Sequence, residues 1–105
     1  MFLDVHTSFS SRRTAAKVSR KLIEERLAAC ANILPASSLY RWKGSIARED
    51  EVIVHLKTSE TLYPKLEKRI AELHPYEIPM ITASRIYLTD GKYSKWLEDS
   101  LTKEE

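Results

Sequence analysis

Glu51-Val-Ile-Val-His-Leu-Lys-Thr58 is the stretch on which the fold turns. Val52, Val54 and Leu56 fall on one side of it, and Ile53, His55 and Lys57 on the other. That period of two belongs to a strand with one face in a core. Upstream, Ala28-Ala-Cys-Ala-Asn-Ile-Leu34 reads as a buried strand, which Pro35 then interrupts. A proline has no N–H to give a ladder, so it predicts a bend, a bulge or an edge position. Ser38-Leu-Tyr-Arg-Trp42 alternates again, and Lys43-Gly44 is a turn signal. These segments together predict a hairpin with long arms.

Further out, residues 2–8 (Phe-Leu-Asp-Val-His-Thr-Ser) form a first strand. Ser10 or Ser11 caps a helix over residues 12–27, where Ala15, Val18, Leu22, Ile23 and Leu27 recur at helical spacing. A second helix over 61–74 carries Leu62, Leu66, Ile70 and Leu73 as its apolar stripe. Pro64 fits only a first turn, which points to Thr61 rather than Ser59 as the cap. His74-Pro75 ends this helix. Residues 78–88 read as the last strand, Asp90-Gly91 as a turn, and Tyr93, Trp96, Leu97 and Leu101 as a closing helix. The order β-α-β-β-α-β-α is an α/β (α+β) arrangement, the split βαβ of a ferredoxin-like sandwich with a short C-terminal helix. With both helices on one face of an antiparallel sheet, the other face is bare. Ile53 on that face and the long edge over residues 36–50 predict a partner subunit, because a long uncovered edge invites aggregation.

At 105 residues the chain predicts a single domain over 1–105. A domain of that size hides roughly 65% of the surface its unfolded chain exposes, a thin margin that oligomerisation widens. Apolar residues at 43% and charged residues at 30% suit a chain with a core, not a disordered one. The apolar runs are too short to span a bilayer, and the opening Met-Phe-Leu-Asp-Val-His predicts no secretory signal. We therefore expect no membrane contact. A formal charge of +2 with both signs interspersed is no nucleic-acid footprint. Cys30 is the only cysteine, which excludes an intrachain disulfide and a thiolate cluster within one chain, and fits a reducing cytoplasm. The absence of Gln and the single Asn, Asn32, beside abundant Lys, Arg and Glu, lean towards a thermostable protein.

Four stretches in order carry a family resemblance: Arg26-Leu-Ala-Ala-Cys-Ala-Asn-Ile-Leu-Pro35, Ser38-Leu-Tyr-Arg-Trp-Lys-Gly44, Glu51–Thr58, and His74-Pro-Tyr-Glu-Ile-Pro79. Tyr93-Ser-Lys-Trp-Leu97 adds a fifth. Together they resemble the CutA, or divalent-cation-tolerance, family over nearly the whole chain. The resemblance implies a ferredoxin-like subunit similar to the nitrogen-regulatory PII proteins, assembled as a homotrimer through its extended second and third strands. It also implies tolerance of divalent cations, copper especially, without catalytic activity. No cofactor is required on this reading; Cu(II) or another divalent cation is the ligand.

The metal ligands of copper-binding members correspond to His6, Leu73 and His74. Those members have Cys at position 6 and His at position 73. Where many members carry Glu after the His-Pro-Tyr string, this chain has Met80. Imidazole still ligates but Leu73 does not, so the expected metal pair is His6 and His74, short of the three or four ligands of a firm transition-metal site. Each of these residues has a plainer reading: His74 as a helix-end hydrogen-bonder, His6 as a core or interface histidine. His55 follows from strand alternation alone. Cys30, Tyr40, Trp42, Tyr76, Glu77 and Trp96 are expected in a ligand or interface cleft, packing being the plainer role of the aromatics. A phosphate-handling enzyme of this fold would need a glycine-rich loop, and only Gly44 and Gly91 exist. The competing reading is a PII-like sensor that binds a small anion or nucleotide between subunits, with Arg12, Arg13 and Lys17 near a helix N-terminus.

Overall fold

The computed structural model describes residues 1–102; the last three residues of the expected domain lie outside the described residues. The elements are β1 (Phe2–Phe9), α1 (Arg12–Glu24), β2 (Cys30–Trp42), β3 (Ser45–Ser59), α2 (Tyr63–Leu73), β4 (Thr82–Arg85) and α3 (Gly91–Thr102). All pairings are antiparallel, and the strand order is β2-β3-β1-β4. Each helical crossover thus skips one strand, as the split βαβ pattern requires.

Alternation in β1 and β3 builds the main core. Leu3, Val5 and Phe9 join Val52, Val54 and Leu56 under Ala15, Val18 and Leu22 of α1 and Leu66 and Ile70 of α2. A smaller cluster of Ala29, Leu97 and Leu101, with Phe2 and Leu62 against it, seats α3. Pro35 sits in β2 with unbroken register opposite Val52, so the edge position accommodates it without a bulge. Lys43 and Gly44 both take positive φ, 50° and 84°, the pattern of a tight hairpin turn whose twist matches its strands.

Three features differ from the sequence expectation. α1 stops at Glu24, not residue 27: Arg26 turns left-handed (φ 60°), and Leu27 N–H and Arg26 N–H donate to Leu22 O and Ile23 O. A glycine usually fills that position; here the Arg26 guanidinium donates to Ser100 O of α3, 2.8 Å away. Ile23, expected on the apolar stripe, is exposed. Neither Thr61 nor Ser59 caps α2: the N-cap is Leu62 with no side-chain cap, and Ser59 Oγ accepts from Leu62 N–H at 3.2 Å in the turn before it. The last strand is only residues 82–85, paired with Leu3–His6 of β1, and not 78–88. Ser11, of the two serines offered, caps α1 by accepting from Thr14 N–H.

β1 pairs with β3 only over residues 52–59, so β2 and β3 run on as a two-stranded arm over roughly 36–51. The arm stretches the molecule to 47 × 27 × 22 Å and its radius of gyration to 14.5 Å; a compact chain of this length has about 13 Å. Leu39 and Ile46 are exposed on the arm, as are Tyr87 and Leu88 after β4. An isolated two-stranded ribbon is marginal in water.

Candidate functional site

Side chains of the open sheet face are fixed by register. The row Cys30, Lys57, Asp4 lies beside the row Asn32, His55, His6. His6 and His55 are direct partners across an antiparallel pair, where side chains on one face are nearest neighbours. Their rings lie 4.0 Å apart between centroids, tilted by 31°. Asp4, two residues before His6 on the same face, brings its carboxylate to both: Oδ2 is 3.3 Å from His6 Nε2 and 3.5 Å from His55 Nδ1. One donor atom from each of the three lies within 4.8 Å of the others. Lys57 Nζ stands 3.9 Å from Asp4 Oδ1. His6 Nε2 and Asp4 Oδ1 are shut off from solvent yet make no hydrogen bond. A buried polar atom without a hydrogen bond is costly, and these two have only ion-pair contacts, His6 Nε2 with Asp4 Oδ2 and Asp4 Oδ1 with Lys57. Two imidazole nitrogens and a carboxylate oxygen fit a borderline divalent cation of the zinc or copper kind. Three protein donors leave coordination positions for water or further groups.

The expected pair His6 and His74 is not brought together. His74, only 8% exposed, stacks on Phe9 at 4.4 Å between centroids. Its Nδ1 accepts from Tyr76 N–H at 3.2 Å, so the proton sits on Nε2, which donates to Ser8 O at 2.6 Å. Both nitrogens are committed, and burial pushes its pKa below the ordinary imidazole value. His74 therefore fits the helix-end reading and not that of a ligand. Leu73 packs against the main core. The residues that sequence reasoning missed are Asp4 and His55. Alternation placed His55 on the bare face, but only the register sets it opposite His6.

The expected cleft divides in two. Tyr40, Trp42, Tyr76 and Glu77 line a groove of about 600 Å³ where the arm leaves the sheet, with Glu49, Glu51 and Met80. Cys30 and Trp96 belong elsewhere. Cys30 opens β2, whose thirteen residues put its two ends about 40 Å apart. Half-buried Cys30 has its Sγ 3.7 Å from Tyr93 Oη, and Tyr93 stacks on Trp96. Arg12, Arg13 and Lys17 are exposed along α1 and line neither the groove nor the His6 cluster.

The fold and its bare sheet face define a PII-like, ferredoxin-like α/β subunit. Residues 3–100 match the family model "CutA1 divalent ion tolerance protein", and the chain belongs to that family. It is 40% identical over 91 residues to the divalent-cation tolerance protein CutA of Thermus thermophilus, covering 86% of this chain and 88% of that one. The crystal structure of CutA1 from Pyrococcus horikoshii superposes with a TM-score of 0.92 at 39% identity, covering 98% of this chain and all of the other. A CutA from Archaeoglobus fulgidus, described as periplasmic, gives 0.94 at 25% identity over 97% and 100% of the two chains. The relatives' names speak of tolerance of divalent cations. No helix among the described residues is long and apolar enough to cross a membrane.

Proposed function

We propose that this chain confers tolerance of divalent cations, copper among them, by binding the ion directly as a homotrimer, without catalysing a reaction. The observation that carries the reading is the convergence of Asp4, His6 and His55, with two buried donor atoms left without hydrogen bonds. On this reading the metal ligands are His6, Asp4 and His55, and His74 positions the chain after α2. The ion takes up the lone pairs that the fold leaves unused. The Asp4 carboxylate supplies charge, and Lys57 balances it when no ion is present.

Assembly rests on the arm and on the exposed Leu39, Ile46, Tyr87 and Leu88, whose burial against neighbours removes apolar surface from water. The free, half-buried Cys30 supports a reducing, cytoplasmic location. Relatives in Thermus and Pyrococcus, together with the lack of Gln, support thermostability.

Calorimetric titration with Cu(II) and Zn(II) at neutral pH tests the reading, with the assembly mass followed by light scattering. One ion per chain is expected, with affinity falling at least tenfold in either His55→Ala or Asp4→Asn. Because only a neutral imidazole binds a metal ion, affinity also falls on acidification. Undiminished binding in His6→Ala, His55→Ala protein defeats the metal assignment. A monomeric mass defeats the assembly.

A further inference from the structure

Beside the three proposed donors stands a cation that belongs to the chain itself. The cross-strand rows put Lys57 of β3 between Cys30 of β2 and Asp4 of β1. Its side chain is only 19% exposed, although lysine is among the residues least often buried. Asp4 is its ion-pair partner. The carboxylate of Asp4 is divided between two neighbours. Oδ2 faces the imidazoles, 3.3 Å from His6 Nε2 and 3.5 Å from His55 Nδ1, and Oδ1 faces the ammonium at 3.9 Å. That last distance is an ion pair and too long for a hydrogen bond, and Oδ1 accepts none. Lys57 thus answers the charge of Asp4 without engaging its lone pairs. A divalent cation bonded to Oδ2 at about 2 Å stands within about 8 Å of Nζ, inside the Debye length of about 10 Å at 0.1 M salt. Like charges so close repel. Even in a water-like dielectric the repulsion weakens binding about sixfold, and it does more where the dielectric is lower.

We propose that Lys57 is a resident counter-cation that competes with the metal for Asp4. It neutralises the carboxylate before an ion arrives, is pushed aside by the incoming ion, and so keeps the affinity low enough for the ion to leave again. Its long, flexible stem lets the ammonium swing away without moving the strand. The proposal rests on the assignment of the metal to Asp4, His6 and His55.

The test compares Lys57→Met, which removes the charge and keeps an unbranched side chain, with Lys57→Arg, which keeps the charge. Each assembled protein, its mass checked by light scattering, is titrated with Zn(II) in a calorimeter at neutral pH, in low and in high salt. Lys57→Met should bind about tenfold more tightly than the wild type in low salt, and the advantage should shrink in high salt. Lys57→Arg should gain nothing. Thermal melts of the chelator-treated proteins give a second readout. Lys57→Met should lower the midpoint where Asp4 is present, and raise it in Asp4→Asn, where the lysine is the charge left without a partner. Equal or weaker binding by Lys57→Met, while His55→Ala still loses the ion, overturns this proposal and leaves the metal site standing. A tightening that ignores salt or appears equally in Lys57→Arg means packing and overturns it as well. Melts that shift the same way in both backgrounds overturn the pairing with Asp4. No binding by wild type and Lys57→Met alike overturns the metal site and this proposal together.

Discussion

Replacing His74 with Ala separates the structural histidine from the ligands. The ring is buried on Phe9, and each nitrogen holds a hydrogen bond, one to Ser8 O and one to Tyr76 N–H. Two net hydrogen bonds are worth about 2 kcal/mol. The cavity left by a deleted core side chain adds to this, and large-to-small changes cost roughly 2–5 kcal/mol in all. Imidazole is polar, so the lower half of that range, about 3 kcal/mol, is the expected loss. For a domain near this size that lowers the melting midpoint by roughly 12–24 °C. The pH dependence follows from burial, which holds the folded-state pKa of His74 below 6.5. Between the two values the unfolded chain binds more protons, so stability is complete above pH 6.5 and drains away as pH falls towards the folded-state pKa. The alanine variant lacks that component.

Thermal melts followed by circular dichroism, at fixed protein concentration and on both sides of pH 6.5, read both effects. Metal affinity of the folded variant should be unchanged. A variant that melts like the wild type, or one that stays folded and loses the metal, refutes the assignment of His74 to structure.

At the hairpin turn, Lys43→Asn should raise stability by up to about 1 kcal/mol, because Asn tolerates the left-handed conformation that Lys43 is held in (φ 50°). Gly44→Ala, at φ 84°, should lower it by about 1 kcal/mol; chemical denaturation reads both. Ile46→Asp puts a charge on an exposed apolar position of the arm. It should lower the mass seen by light scattering while the helical circular dichroism persists.

Most of the fold was legible because its signals are local. The alternation of residues 51–58 names the buried trio Val52, Val54 and Leu56, and the stripes of α1 and α2 name Leu22, Leu66 and Ile70. What local signals missed was set by distant partners. Arg26 ends α1 early in a conformation usually left to glycine, and its side chain reaches a carbonyl 74 residues away. β4 is short, and its extent is read from its pairing with Leu3–His6 of β1 and not from its own sequence. The site follows the same rule. His6 was legible as a candidate, but its companions Asp4 and His55 depend on the β1–β3 register, which no single strand contains. Family correspondence pointed instead to His74, whose lone pair and proton the chain spends on Tyr76 and Ser8.

The direct test of the central claim is pulsed electron paramagnetic resonance of the protein loaded with one Cu(II) per chain. Coordination by His6 and His55 predicts modulation from two imidazole nitrogens, reduced to one in His55→Ala and likewise in His6→Ala. In folded His74→Phe protein both should remain. A spectrum unchanged in the His6→Ala, His55→Ala double variant, or one that loses an imidazole only when His74 is replaced, contradicts the account.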